Sequence, residues 1–365
     1  MESFRNNLID YVRMYLEEEK LTASVLDFAD EKSQAIYEVF RSTLKFQDQQ
    51  GSLDWLRFEE IYSREHVDAQ YGVFVIFGDR LRIDAIWVLT VSQTHGDFRF
   101  GTMTLPVYPP LQSANISIRR SKEISRACIN LGFRLAKEYR MNEWSSREYG
   151  PISNGLSHWH AESRNLGAIS LLESHLYLDL TLEIETIRTS IRQSYKSLIR
   201  SGLQKLSPTL FVGESYEEWD EFRQLHKYVS GRTTRSIETW NLQFDLMRQG
   251  RAFSVYMRDS SEKLIGAIYV HHTKDEALYV SGVFDRDLRN IPLSHAAQWT
   301  AIQELQKRKV RWYCLGERPY STTVPTPSPK DVSIAYFKEG FATDKFAHIF
   351  YTYPIKPLFE LDIQP

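Results

Sequence analysis

The chain has 365 residues, 42% of them hydrophobic and 13% aromatic, and its 45 basic and 47 acidic side chains leave a formal net charge of −2. That apolar share supports a sizeable packed core and excludes a disordered chain, and the length suits two domains of ordinary size. A balance this near neutrality excludes a protein whose main task is gripping a polyanion, short of a local patch.

Cys128 and Cys314 form no CxxC pair. Neither a zinc ribbon nor a disulfide framework is implied, and each reads as a small core residue. The opening MESFRNNLIDYVRMYLEEEK contains no apolar signal segment, and the longest apolar run, 73–77, is far too short to cross a bilayer. A soluble, reducing, cytoplasmic setting is expected, with no membrane partner.

In chain order, the spacing of Phe4, Leu8, Val12 and Tyr15 predicts a helix over 3–20. A second helix is expected over 31–46, then strands at 71–78 (YGVFVIFG) and 82–92. The segment 95–118, rich in Pro, Gly and Tyr, reads as strand and loop. Ile124, Cys128, Leu131 and Leu135 mark the buried face of a helix over 121–139. A strand at 175–181 closes this half. The second half opens with one helix over 184–204 and a short strand at 209–213. Helices follow at 216–229, with Trp219, Phe222, Leu225 and Val229 inward, and at 237–249. Three strands come next (RAFSVYMR, KLIGAIYVHH, EALYVSGVF), then a helix over 292–308 and a strand, VRWYCLG. A Pro-rich loop leads to Phe337-Lys338-Glu339-Gly340-Phe341, and a strand at 347–355 ends the chain. The halves share an order of helices, paired strands, a helix and closing strands. The expected domains are 1–183 and 184–365.

Several groups have residue types suited to chemistry. Arg188, Arg192, Lys196 and Arg200 recur every four positions with no acidic residue between 186 and 213, which would form one basic ridge. The ridge either binds phosphate or is a solvated face, or one paired with acids of the other domain. Arg232 and Arg235 follow the next helix and suit bidentate anion contacts, or answer a helix dipole. His295, in the first turn of its helix, is a structural polar residue or a base. His271 and His272 point to opposite faces of a strand, and His158-Trp159-His160 lies in a loop without a third ligand, so no metal is inferred. Glu317 and Arg318 follow the fourth strand. The loop RPYSTTVPTPSP is a substrate-facing flap or a disordered excursion. Lys338 lies between Phe337 and Phe341, which limits water and strengthens a charge-assisted contact. The bland alternative is a strand-flanking Lys beside a core Phe. GxSxG is absent, and no Ser or Cys sits in a nucleophile elbow.

Three strands, one amphipathic helix and a further strand, followed by FKEGF, resemble the C-terminal half of FemAB-like acyltransferases, which carry two GNAT-type domains. The resemblance implies an α/β (α+β) fold of two such domains, each a mixed, mainly antiparallel sheet flanked by helices. It implies N-acyl transfer without a permanently bound cofactor, acyl-CoA being the cosubstrate. It places Lys338 at the acyl donor or a substrate phosphate. Tyr279, Ser281 and Gly282 would hold the thioester carbonyl on a strand that splays from its neighbour. Arg286, Arg289 and Ser294 would take the CoA pyrophosphate at a helix start, although the Gln/Arg-x-x-Gly-x-Gly/Ala signature is absent. Arg232, Arg235, Phe337, Arg188, Arg192 and Lys196 would face substrate. Asp285, His295 or Glu317 would accept the amine proton. In size the chain resembles nucleotide-sugar N-acyltransferases of the FdhC type, acting on a dTDP-linked 3-amino-dideoxyhexose for surface polysaccharide. The alternative is aminoacyl-tRNA-dependent transfer to a peptidoglycan precursor. The mild charge favours CoA over a nucleic-acid partner, and the sequence leaves room for a homo-oligomer.

Overall fold

The computed structural model describes residues 2–79, 82–102, 105–149, 157–288, 291–323 and 325–355, with side chains from residue 7 onward. The side chain of Phe4 and all of Arg289 lie outside the described residues. The chain forms two compact units. One comprises Met1–Phe46, Trp55–Leu172 and His348–Pro365, and the other Gln47–Asp54 and Glu173–Ala347.

The first unit contains α1 (Glu2–Glu18), β1 (Ala23–Asp27), α2 (Glu31–Ser42) and most of α3 (Leu53–Ser63). After them come β2 (Ala69–Gly78), β3 (Ile83–Thr94), β4 (Asp97–Phe100), β5 (Leu111–Gln112), α4 (Ile118–Glu138), β6 (Glu143–Glu148) and α5 (His158–Asn165). The sheet runs β1-β2-β3-β4, with β5 also on β3. The run VFVIF in β2 is buried at every position, so both faces must be covered. Val73, Val75 and Phe77 pack with Leu8, Val12 and Tyr15 of α1 and Ile124, Leu131 and Leu135 of α4. Phe74 faces the other way and stacks on Tyr37 of α2, ring centres 4.9 Å apart.

The second unit contains α6 (Ile184–Ser190), α7 (Gln193–Lys205), β8 (Thr209–Phe211), α8 (Tyr216–Ser230) and α9 (Ile237–Arg248). Then come β9 (Ala252–Arg258), β10 (Leu264–His272), β11 (Glu276–Phe284), α10 (Leu293–Lys307), β12 (Trp312–Glu317) and α11 (Pro329–Glu339). β9, β10 and β11 form an antiparallel meander, β8 pairs β9, and β11 pairs β12 in parallel. One face carries α7, α10 and Phe341, and the other carries α8 and α9. Two strands run on from one unit into the other. β7 (Ile169–Asp179) begins in the first, and its residues 175–179 pair with β12. β13 (Asp344–Pro354) begins in the second, and its residues 349–354 pair with β6. Among the described residues no helix is long and apolar enough to cross a membrane.

Three expectations need correction. The helix expected over 184–204 is two helices, α6 and α7. Ile191 and Arg192 are extended at ψ 141° and 129°, and the Arg192 N–H bonds to the Gly340 carbonyl at 2.9 Å instead of continuing the helix. The single basic ridge is therefore broken at Arg192. His158-Trp159-His160 opens helix α5, capped by Ser157, rather than lying in a loop. The Pro-rich loop ends earlier than expected, because Ser328 caps α11 with Pro329 in its first turn. Lys338 consequently lies in the last turn of a helix and does not flank a strand.

Gly132 of α4 tests the first unit's packing. A Cβ there would lie 2.6 Å from the Trp144 ring, which stacks on Tyr353 at 3.9 Å and meets Phe100 edge-on. Alanine gains about 1 kcal/mol of helix propensity, but overpacking beside a wedged ring costs roughly 1–3 kcal/mol. Gly132→Ala should therefore lower the urea midpoint with an unchanged slope; a raised midpoint would show that Trp144 can yield.

Candidate functional site

β11 and β12 pair only at Glu276↔Trp312, Ala277↔Tyr313 and Leu278↔Cys314. A bulge interrupts each strand where they part. On β11, Tyr279 faces Val270 and Ser281 faces Tyr269, which leaves Val280 as the extra residue. On β12, Cys314 faces Tyr177 and Gly316 faces Leu176, which leaves Leu315. Bulges bend a strand and increase its twist. Beyond them β11 stays with β10 as far as Phe284 and β12 stays with β7 as far as Glu317, so an opening forms between them.

Lys338 enters this opening from α11. Its amine lies 5.2 Å from the centre of the Tyr279 ring. It also lies 3.1 Å from where a Cβ would stand on Gly316. Gly316 has φ +104°, so the left-handed backbone and the close amine both call for glycine. Burial lowers the Lys338 pKa, and Cys314 and Glu317 oppose the shift. Burial pushes the Tyr279 phenol up to about 12, against a hydrogen bond with Gln298. Gln298 also accepts a bond from the Tyr313 hydroxyl at 3.0 Å.

The pentapeptide FKEGF holds this lysine through its neighbours. Phe337 and Tyr195 pack edge-on against His295, with ring centres 5.1 and 4.5 Å away, and Phe341 lies 6.2 Å from it. Gly340 is where the Tyr195 ring passes, in space a Cβ would fill. The Tyr195 hydroxyl donates to the Phe337 carbonyl at 3.2 Å and accepts from Arg192 at 2.8 Å. Glu339 accepts from Arg318 at 3.0 Å and from Lys345. Burial lowers the His295 pKa to about 4, and neither ring nitrogen has a hydrogen-bond partner. The Ser281 hydroxyl is likewise buried without a partner.

The structure therefore gathers Lys338, Tyr279, Gly282 and Glu317 around one opening, while Phe337 and His295 pack with Tyr195 and Phe341. Ser281 is opposite Tyr269, which belongs to the α8/α9 core, so the bulge turns it away from Tyr279. Asp285 accepts from the Asp287 N–H at 3.0 Å, a turn-forming role, and Arg286 is exposed in that turn. Ser294 is half-buried in the first turn of α10, whose cap position is Pro292 and has no side-chain cap. Arg232 and Arg235 are elsewhere, on the α8/α9 side. They line a pocket of about 150 Å³ with Arg223, His226 and Lys227, and Arg235 bonds Gln243 at 3.1 Å. Arg188 is exposed, 3.8 Å from Glu185, and Lys196 bonds the Thr189 carbonyl at 3.2 Å. Arg192 reaches the motif from behind, stacked on Tyr336 at 3.8 Å. The sequence analysis missed Tyr195, Gly316, Gln298 and Glu339. Only Gly316, at the end of a strongly apolar strand, carried a local signal.

No family model matches the chain, and no curated protein matches it. Solved structures do. FemX aligns with a TM-score of 0.64 at 10% identity, over 88% of this chain and 96% of that one. A tandem GNAT protein from the clavulanic acid biosynthesis pathway aligns with a TM-score of 0.52 at 15% identity, over 92% and 99%. L-PGS from Bacillus licheniformis aligns with a TM-score of 0.54 at 10% identity, over 90% and 93%. At such identities the likeness is one of fold: the chain has the two-domain α/β fold of tandem GNAT proteins, with mixed, mainly antiparallel sheets.

Proposed function

We propose that the protein is an acyltransferase that moves an acyl group from an activated ester or thioester to an amine. The observation that carries this reading is the Lys338 amine, held beside Tyr279 and Gly316 where β11 and β12 part. A neutral amine attacks the carbonyl carbon, a C–N bond forms, and the bond to the leaving sulfur or oxygen breaks. The amine proton passes to a base and the leaving group takes up a proton. An ammonium in a water-poor opening stabilises the developing oxyanion far better than it would in water. Among the three candidate bases, Glu317 suits the role best. It is exposed and its charge reaches Lys338, whereas Asp285 is committed to a turn and His295 is a weak base.

For the donor and acceptor we propose acyl-CoA and a nucleotide-linked amino sugar, such as a dTDP-3-amino-3,6-dideoxyhexose. The net charge of −2 supports CoA over a bulky polyanion. The pocket of Arg232 and Arg235 suits an anion, since several guanidinium and ammonium groups line it, but it lies on the α8/α9 side and not at the Lys338 opening. Arg286 and Ser294 would meet the CoA phosphates. One observation favours the second reading, an aminoacyl-tRNA donor. At the start of α10, Pro292 offers no N–H and the Leu293 N–H is already bonded to the Ile291 carbonyl at 2.8 Å. A diphosphate there would meet fewer backbone donors than at an open helix terminus.

Incubation with a panel of acyl-CoAs and amino-sugar nucleotides should release free thiol and add the acyl mass to the sugar. Transfer from charged tRNA alone would select the second reading, and transfer from neither would reject both. Lys338→Met keeps the length of the side chain and removes the amine. Turnover should fall roughly 10²–10³-fold with little change in Michaelis constants; wild-type kinetics would remove Lys338 from the chemistry. If the ammonium is the acting form, activity is full below the folded pKa and is lost as pH rises through it. Burial lowers that pKa, so the alkaline limb of turnover should have its midpoint below the ordinary lysine value of 10.5. A midpoint at or above 10.5 would contradict the shielding of Lys338.

A further inference from the structure

We propose that Glu339 is a positioning residue for Lys338: it ties the last turn of α11 to β12 and to β13, and so keeps the lysine amine in the opening. The inference rests on the role given to Lys338 above. Glu339 is the middle residue of FKEGF, and its two carboxylate oxygens take different partners. One accepts from Arg318, just past the end of β12, at 3.0 Å; the other accepts from Lys345 at the start of β13. Arg318 is itself fixed. Its side chain is 9% exposed, its N–H bonds the Ser174 carbonyl at 2.7 Å, its guanidinium bonds the Pro319 carbonyl at 2.8 Å, and it stacks on Tyr320 at 4.5 Å. Burial raises the Glu339 pKa, but the bonds from Lys345 and Arg318 outweigh it and hold the carboxyl below its ordinary value.

The geometry gives this clamp a task. Neighbouring residues on a helix point about 100° apart, so a side chain fixed at 339 also fixes the azimuth of 338. Phe337 is held on the other side by His295 and Tyr195. Lys338 lies between these two anchors. Lysine has a flexible stem with high rotamer entropy, and its amine would swing into water unless the helix end were held. Of the groups that face the Lys338 amine, Tyr279, Cys314 and Glu317 act on it directly, whereas Glu339 is not among its electrostatic influences. Glu339 therefore acts through placement.

Competitive labelling with acetic anhydride, read by mass spectrometry at Lys338 against the exposed Lys330, reports how Lys338 titrates and needs no substrate. In the wild type Lys338 should titrate below an ordinary lysine. Glu339→Gln still accepts from Arg318 and should keep that profile. Glu339→Ala should move it up towards the ordinary value as the amine reaches water. Removing a nearby negative charge by itself would move it down, so the sign separates placement from direct electrostatics. An unchanged or lowered profile in Glu339→Ala would overturn the proposal. If that variant does not fold, Glu339→Asp keeps the charge but shortens its reach by one methylene and so breaks the double contact with Arg318 and Lys345; an upward shift is again expected, and its absence overturns the proposal equally. Once transfer is established, Glu339→Ala should lower turnover more than it changes Michaelis constants. A failure to find acyl transfer would sink the functional reading without altering the labelling result.

Discussion

Parallel strands exchange evenly spaced, slanted hydrogen bonds, and β11 and β12 exchange them over only three residue pairs. Past Leu278 and Cys314 their facing backbone groups lack each other as partners. Leaving a buried amide or carbonyl unsatisfied costs roughly 1–3 kcal/mol. A fold would not keep such an edge open without a reason. The two bulges, at Val280 and Leu315, bend the strands apart at the same level, so the opening is built by both of them. Everything placed around it follows from that parting. Tyr279 and Gly316 form its walls, and Lys338 can approach only because Gly316 has no side chain.

The motif FKEGF acts as a mechanical unit in which each residue has a different partner. Phe337 and Phe341 flank His295, Glu339 holds Arg318 and Lys345, and Gly340 leaves room for Tyr195. The break between α6 and α7 belongs to the same unit, since the Arg192 N–H that leaves the helix is the one that bonds Gly340. A lysine placed this way loses little rotamer freedom when it meets a substrate, because that ordering has already occurred on folding. The unpartnered ring nitrogens of His295 stand in contrast to these saturated contacts.

Much of this architecture was legible in the sequence because its signals are local. The strands β9 to β12 and the helix α10 followed from apolar runs and periodicity, and FKEGF drew attention to Lys338. The helix α3 escaped because it is buried on most sides and shows no clear apolar stripe. α11 escaped although Ser328, Pro329 and Asp331 form a start signal, because the surrounding Pro, Ser and Thr residues read as loop. The break at Ile191 and Arg192 has no local cause, neither Gly nor Pro. It is imposed by Gly340, far along the chain, and no window of sequence contains both. The bulges at Val280 and Leu315 were equally invisible. Register depends on the partner strand, and periodicity describes only one strand at a time.

The first unit shows what the same architecture does when its opening is filled. By element order, β6 corresponds to β12 and α5 to α11. There Val107 makes a single parallel bridge to Ser146, so the parting begins even sooner. The helix that follows places Trp159 in its first turn, whereas Lys338 lies in the last turn of α11. Trp159 is buried and donates to the Ser146 hydroxyl at 3.1 Å, and the Tyr353 hydroxyl lies 3.0 Å from Ser146 and 2.7 Å from Ser163. The Tyr353 ring stacks on Trp144, and the serine hydroxyls satisfy the polar atoms beside it. A tryptophan so placed adds apolar burial, worth roughly 25 cal/mol per Å², and has no charge to offer a reacting carbonyl. A lysine in the corresponding helix gives up that burial and bears the cost of a shielded amine. The two helices therefore contribute to their surroundings from opposite ends, one with a ring and the other with an amine. One copy of the opening serves packing, and the other holds a costly, well-placed cation.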